Sequence, residues 1–177
     1  MSGYFEIGIY QTKIPRNVGT LWRSAYQLGA AGIFTIGRRY DHRTSSDNYN
    51  APNNIPLRHH ETIEAFLANL PLHSVLVGIE LGGIPLSEFV HPRNALYLLG
   101  ADDTGLPRAV LAKCSQVVSL QAISQPAYNV AVAGSIVLYH RVYWQDVNRL
   151  HRGRETYLDH RMLFQTEEPG MHEKRDL

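Results

Sequence analysis

The stretch FEIGIYQTKIPRNVGTLWRSAYQLG, residues 5–29, decides the architecture of this chain. Residues 5–10 form a short, mostly apolar run of strand length. Beyond Pro15, the residues Val18, Leu21, Trp22, Ala25 and Leu28 recur at spacings of three and four, which predicts a helix over 18–28. Asn17 stands where an N-cap belongs, and Gly29 stands where the helix should stop. A strand feeding directly into a helix is half of a βαβ unit, and the remainder of the chain repeats the alternation.

Residues 32–36 read as a second strand, and the polar segment 38–56 reads as a long loop. A helix capped by Thr62 is predicted over 62–70, then a buried strand over 74–79 that Gly82, Gly83 and Pro85 should break. A strand over 95–99, a short helix over 106–113 and a strand over 116–120 follow, and the longest helix runs from 129 to about 150. The first half of that helix, VAVAGSIVLY at 130–139, is apolar on nearly every face, which calls for burial on two sides, by a sheet and by a partner subunit. The fold class is therefore α/β, a parallel sheet flanked by helices. Such sheets take ligands beyond the carboxyl ends of their strands, here after Tyr10, Ile36, Ile79, Leu99 and Leu120.

At 177 residues the chain fits one domain, expected over 1–150, with a charged tail over 151–177. Its 44% hydrophobic and 19% charged residues are those of a globular protein, which excludes wholesale disorder. No apolar run approaches the length of a membrane span. The first residues, MSGYFEIGIYQTK, carry an acid and no basic n-region, so they read as a first strand and not as a signal peptide. Cys114 is the single cysteine, so neither an internal disulfide nor a cysteine-based zinc site is expected. A cytoplasmic protein without a metal is the simplest expectation. The net charge is only +1, but basic residues cluster locally. One group holds Arg38, Arg39, His42 and Arg43, followed by Arg58, His59 and His60; another holds Arg141, Arg149, Arg152, Arg154 and Arg161. Each group suits either a solvated surface or RNA phosphates.

Three segments carry chemistry. Pro15 to Ala25 joins a turn to a helix N-terminus, where free backbone N–H groups attract anions, and Arg23 on its polar side would match a phosphodiester. Asn17 as a plain cap and Arg23 as a solvated residue fit the same stretch. Leu98 to Pro107 ends a strand at Gly100, where a ligand can approach the backbone. Asp102 and Asp103 follow, able to orient an arginine, accept a ribose hydroxyl or simply precede a helix N-terminus. Ser119 to Asn129 is a polar loop between a buried strand and a buried helix, with Asn129 as a cap or a ligand contact.

Together and in this order, the segments resemble the SpoU/TrmH-type RNA methyltransferases of the SPOUT, or α/β-knot, class. That pattern has an Asn-x-Gly turn with a following Arg, a Gly-x-Glu-x-x-Gly-Leu segment, and Ser-Leu-Asn-Val-Ser leading into the last helix. The corresponding residues are Asn17-Val18-Gly19 with Arg23, Gly100 to Leu106, and Ala127-Tyr128-Asn129-Val130-Ala131. Asp102 replaces the glutamate, Ala127 and Ala131 replace the serines, and Ser119-Leu120-Gln121 replaces Ile-Pro-Met. The resemblance covers residues 4–148 and is nearest to single-domain members, among them tRNA wobble-ribose methyltransferases. It implies a C-terminal deep trefoil knot, an exception to unknotted topology, and a homodimer built from the first and last helices. It also implies S-adenosyl-L-methionine bound by Gly78, Ile79, Glu80, Gly100, Leu120, Gln121, Ala127 and Asn129. Arg23, Asn17 and Asp102 would then be the catalytic group.

The implied reaction is methylation of a ribose 2′-hydroxyl in tRNA or rRNA. Arg23, whose guanidinium stays protonated, would clamp the adjacent phosphate and stabilise the developing alkoxide, with Asn17 and Asp102 orienting it. Two alternatives stay open at this point: methylation of a base nitrogen, or a knot-fold RNA- and cofactor-binding protein with weak or no transfer. A dinucleotide-binding Rossmann domain is disfavoured, since no Gly-x-Gly-x-x-Gly follows the first strand.

Overall fold

The computed structural model describes residues 3–38, 51–101, 103–124 and 127–150, with side chains as far as Tyr143. Six strands form one parallel sheet in the order β3-β2-β1-β5-β4-β6. In chain order the elements are β1 (Phe5–Tyr10), α1 (Pro15–Gln27), β2 (Gly32–Ile36), α2 (Ala51–Asn54), β3 (Leu57–His60) and α3 (Ile63–Leu67). They continue with β4 (Val75–Pro85), a 3-10 turn at Leu86–Glu88, β5 (Ala95–Leu99), α4 (Arg108–Leu111), β6 (Gln116–Ser119) and α5 (Val130–Leu150). Contacts group the chain into Met1–Val142, which holds the sheet and the site, and Tyr143–Leu177.

Alternation along the strands divides the core between the two faces of the sheet. Ile7, Ile9, Val77, Tyr97 and Leu99 face one way and share a cluster with Val18, Leu21 and Trp22 of α1 and Val137 and Leu138 of α5. Phe34, Ile36, Leu76, Leu96 and Leu98 face the other way, against Ile63 and Phe66 of α3 and Val110 of α4. Burial on both faces explains why the central strands read as near-continuous apolar runs.

Several expectations change. β3 lies inside a stretch with no apolar signal, because it is a polar edge strand whose partner is β2 alone. Within 38–56, residues 51–54 are helical. The first helix begins at Pro15, near the position its fixed φ favours, so Ile14 and not Asn17 is the N-cap residue. Asn17 is buried inside the first turn. Gly82 and Gly83 do not end the fourth strand; they carry a bulge across which β4 shifts register against β6 and pairs on through Pro85. There β4 approaches β6 so closely that a Cβ on Gly83 would stand 2.6 Å from the Val117 carbonyl oxygen.

The basic clusters also resolve differently. Arg58 pairs with the buried carboxylate of Glu6, which also accepts from the Tyr4 hydroxyl. Arg141, expected on a basic surface, is buried at 1% exposure. It donates to the carbonyls of Pro92 and Arg93 at 2.8 Å each and to the Tyr97 hydroxyl at 3.0 Å, and its guanidinium lies 4.5 Å from the Phe5 ring centroid. It thereby fixes α5 to β1, to β5 and to the loop ahead of β5. Arg39, His42 and Arg43, the side chain of Arg149, and Arg152, Arg154 and Arg161 with the rest of the expected tail lie outside the described residues.

His91 extends this polar cluster. Its Nδ1 is 2.5 Å from the Tyr97 hydroxyl and its Nε2 is 2.8 Å from Nδ1 of His140. Burial, reinforced by His140 and Arg141, drives the His91 pKa down to about 3, while burial pushes Tyr97 up to about 12. A histidine held neutral when folded takes up a proton more readily when unfolded, so stability falls as pH drops from 6.5 towards 3. Urea denaturation is expected to show about 2 kcal/mol less stability at pH 5 than at pH 7.5. His91→Asn should flatten that profile, and a flat wild-type profile would contradict it. Arg141→Met removes three hydrogen bonds, one of them to the buried Tyr97 hydroxyl, and is expected to cost about 3 kcal/mol in the same measurement.

Candidate functional site

A cavity of about 310 Å³ opens beyond the carboxyl ends of β4, β5 and β6, where a parallel sheet is expected to hold its ligand. The end of β4 supplies Ile79, Glu80 and Leu81. The turn after β5 supplies Gly100, Ala101, Asp103, Thr104 and Gly105. Leu120, Ala127 and Tyr128 of the β6–α5 connection complete the wall with Val130 and Ala133 of α5. The volume suits a compact organic ligand, and the walls combine apolar side chains with the polar groups of Glu80, Asp103, Thr104 and Tyr128.

The turn after β5 is shaped by backbone. Gly105 donates its N–H to the Ala101 carbonyl at 3.0 Å, folding the chain back on Gly100. A Cβ on Gly100 would stand 2.0 Å from the Gly105 carbonyl carbon, so only glycine lets the turn close this tightly. Glu80 holds the same turn from below, accepting from Leu106 N–H at 2.6 Å and from Leu81 N–H at 3.0 Å. Lys13 reaches across from the segment ahead of α1 to Asp103, Nζ to Oδ2 2.7 Å. That hydrogen bond is the main reason the Asp103 carboxyl titrates below its ordinary value.

Of the predicted cofactor contacts, Ile79, Glu80, Gly100, Leu120 and Ala127 line the cavity. Gly78, Gln121 and Asn129 do not. Gly78 packs beneath it against Leu106, Leu111 and Cys114, and Gln121 points its carbonyl at the Tyr128 hydroxyl. Asn129 belongs to the framework. Its Oδ1 accepts from Ala131 and Val132 N–H at 3.0 and 3.3 Å, capping α5, and its Nδ2 donates to Asn17 Oδ1 at 3.0 Å. The starts of α1 and α5, 112 residues apart in sequence, are thus joined through two amides. Arg23 lies half-buried on α1 with partners of its own and is not part of the cavity wall. Asp102 lies outside the described residues. Ala131 packs into the core and Ala127 faces the cavity.

Sequence reasoning passed over Tyr128, whose signal was an aromatic residue within an otherwise polar loop. It also gave Asp103 no specific contact; the lysine 90 residues earlier could not be paired with it from sequence. Among the described residues, no group of His, Cys, Asp and Glu stands close enough to hold a metal ion, and no helix is long and apolar enough to cross a membrane.

Residues 4–139 match the SpoU rRNA Methylase family. Among solved structures, the chain is similar to the SpoU methyltransferase AviRb from Streptomyces viridochromogenes in complex with AdoMet. That likeness has 25% identity and a TM-score of 0.68, covering 82% of this chain and 59% of AviRb. It is equally similar, at 25% identity and a TM-score of 0.71, to a structure giving insight into the 2-OH methylation of C/U34 on tRNA, with 84% of this chain and 99% of that one covered. An AdoMet-bound rRNA methyltransferase from Sinorhizobium meliloti shares the fold at 21% identity and a TM-score of 0.67, covering 80% of this chain and 56% of its own. No curated protein matches the chain in sequence.

Asn129→Ala removes both the cap of α5 and a partner of buried Asn17. Chemical denaturation is expected to show a loss of about 2 kcal/mol, and Asn129→Asp, which keeps the capping oxygen, about half of that. Equal losses for the two variants would show that the bond to Asn17 alone matters.

Proposed function

The chain belongs to the SpoU rRNA Methylase family, and on that premise we propose that it is an S-adenosyl-L-methionine-dependent RNA methyltransferase acting on a ribose 2′-hydroxyl, with tRNA favoured over rRNA. One observation carries the reading. The cavity at the ends of β4, β5 and β6 is coupled, through the hydrogen bond from Asn129 to Asn17, to the helix that bears Arg23. The likeness to the tRNA 2-OH methylation structure, which this chain covers almost end to end, supports ribose and tRNA.

The residues present fit the cofactor. The cavity has a compact ligand's volume, the turn that only glycine at position 100 lets close so tightly forms part of its wall, and the carboxylate of Glu80 beside that turn suits a cationic ligand. S-adenosyl-L-methionine, when bound, supplies an activated methyl on a positively charged sulfur. Gly100 lets the turn that walls the cavity close on itself, Glu80 keeps that turn in place through Leu106, and Leu120 and Ala127 provide apolar walls and exclude water. Arg23 clamps the phosphate beside the target ribose and stabilises charge developing on the attacking oxygen. Asn17, fixed by Asn129, orients that end of the site.

The proposal extends to topology and assembly. β6 pairs outside β4, yet α5 packs against β1 and β5, so after β6 the chain returns from the sheet edge to its middle. A return of that kind supports the trefoil-knot threading. On α5, Val132, Ile136 and Tyr139 leave an exposed apolar stripe at 45%, 36% and 56% exposure, while Ser135 Oγ bonds Ser24 Oγ of α1 at 2.8 Å. This supports a homodimer using both helices; a cytoplasmic location belongs to the same proposal.

Incubation of total tRNA and rRNA with labelled cofactor, followed by digestion to nucleosides, tests the reading. Label on the ribose of one tRNA nucleotide is expected; label on a base nitrogen would move the chemistry to the base, and cofactor binding without transfer would leave a binding protein. Arg23→Lys is expected to lower single-turnover methylation by about 100-fold, with S-adenosyl-L-methionine affinity retained.

A further inference from the structure

Tyr128 stands between the two halves of this site. Its hydroxyl donates to the Gln121 carbonyl at 3.0 Å, and the next residue, Asn129, is held by Asn17 and by the start of α5. The ring is therefore tied at its tip and at its backbone. It lines the cavity, yet 40% of its surface remains exposed at the mouth. Leu81, on the same wall, is 53% exposed and adds an apolar surface to the opening.

A rigid aromatic face loses little freedom on binding and offers nothing to a phosphate, which seeks cationic or N–H donors. It does offer a surface to the flat π-system of an unstacked base. A ring serving only the cavity ligand would be enclosed by the cavity, whereas this one opens to solvent, where a large substrate can reach it. The geometry points to Tyr128 as a stacking platform for a nucleobase of the RNA substrate, an assignment that rests on the proposed activity. In the family pattern this place is the leucine of Ser-Leu-Asn, so the aromatic is a feature of this chain, and Tyr128→Leu is a substitution the fold accommodates.

The test compares the full-length wild type with Tyr128→Leu and Tyr128→Phe. Affinity for unfractionated tRNA is read by fluorescence anisotropy in saturating S-adenosylhomocysteine, and affinity for S-adenosyl-L-methionine by calorimetry. Tyr128→Leu is expected to weaken tRNA binding about tenfold and to leave cofactor affinity within about twofold, while Tyr128→Phe keeps both. Unchanged tRNA binding by Tyr128→Leu, or a loss confined to the cofactor, overturns the assignment; the second result would make the ring a support for the adenine. An equal loss in Tyr128→Phe would trace the effect to the Gln121 tether and overturn it as well. Because neither affinity depends on turnover, a wild type that binds tRNA but transfers no methyl defeats the proposed activity and leaves the stacking result readable. A wild type that binds no tRNA defeats both.

Discussion

The side chain of Asn129 is the joint on which the site depends. Its oxygen accepts from two N–H groups at the start of α5, and its nitrogen donates to Asn17 inside the first turn of α1. A helix start carries several N–H groups with no intrahelical acceptor, and a cap satisfies some of them. Here the capping amide has a donor left over, and that donor reaches the other helix. Two elements from opposite ends of the domain are thus set in register, and with them the cavity wall carried by Tyr128, Val130 and Ala133.

The same logic of satisfying backbone groups holds the rest of the site and the far end of α5. Glu80 bridges the N–H of Leu106 in the turn after β5 and that of Leu81 on its own strand, and Gly100 allows the turn to close on itself. At the opposite end of the sheet, Arg141 satisfies two carbonyls of the loop ahead of β5 and a phenol in the core. One end of α5 is therefore fixed by an amide at the site and a later turn by a buried guanidinium. A cation so placed is stabilised by hydrogen bonds and an aromatic face, which offset the loss of hydration. The two ends have different sensitivities: the sheet end responds to pH through His91, while the cavity end is tied mainly by neutral amides and by carboxylate-to-backbone bonds.

Most of the architecture was legible because parallel strands buried on two faces give runs such as ALYLL at 95–99, and α1 gives a clear period of three and four. What escaped was structure without that signal. β3, Leu-Arg-His-His, is polar because it is an edge, and β4 runs through a Gly-Gly pair because a bulge there meets β6. Arg141 read as surface because a charged residue is seldom fully buried; its acceptors lie 44 to 49 residues away in sequence.

By itself the sequence determined the class of fold, the ends of β1, β2 and β5, and the family, since each depends on local periodicity and on short ordered motifs. It also pointed to Gly100, Glu80, Leu120 and Ala127, which the fold gathers along one cavity. Only the tertiary structure decided that Asn17 is no cap but the partner of Asn129, that Asn129 braces the site from outside the cavity, and that Tyr128 stands at its mouth. The physical reason is the same in each case. A polar side chain's role is set by which donors and acceptors the fold brings within about 3 Å of it, and here those lie on distant segments that no local pattern connects.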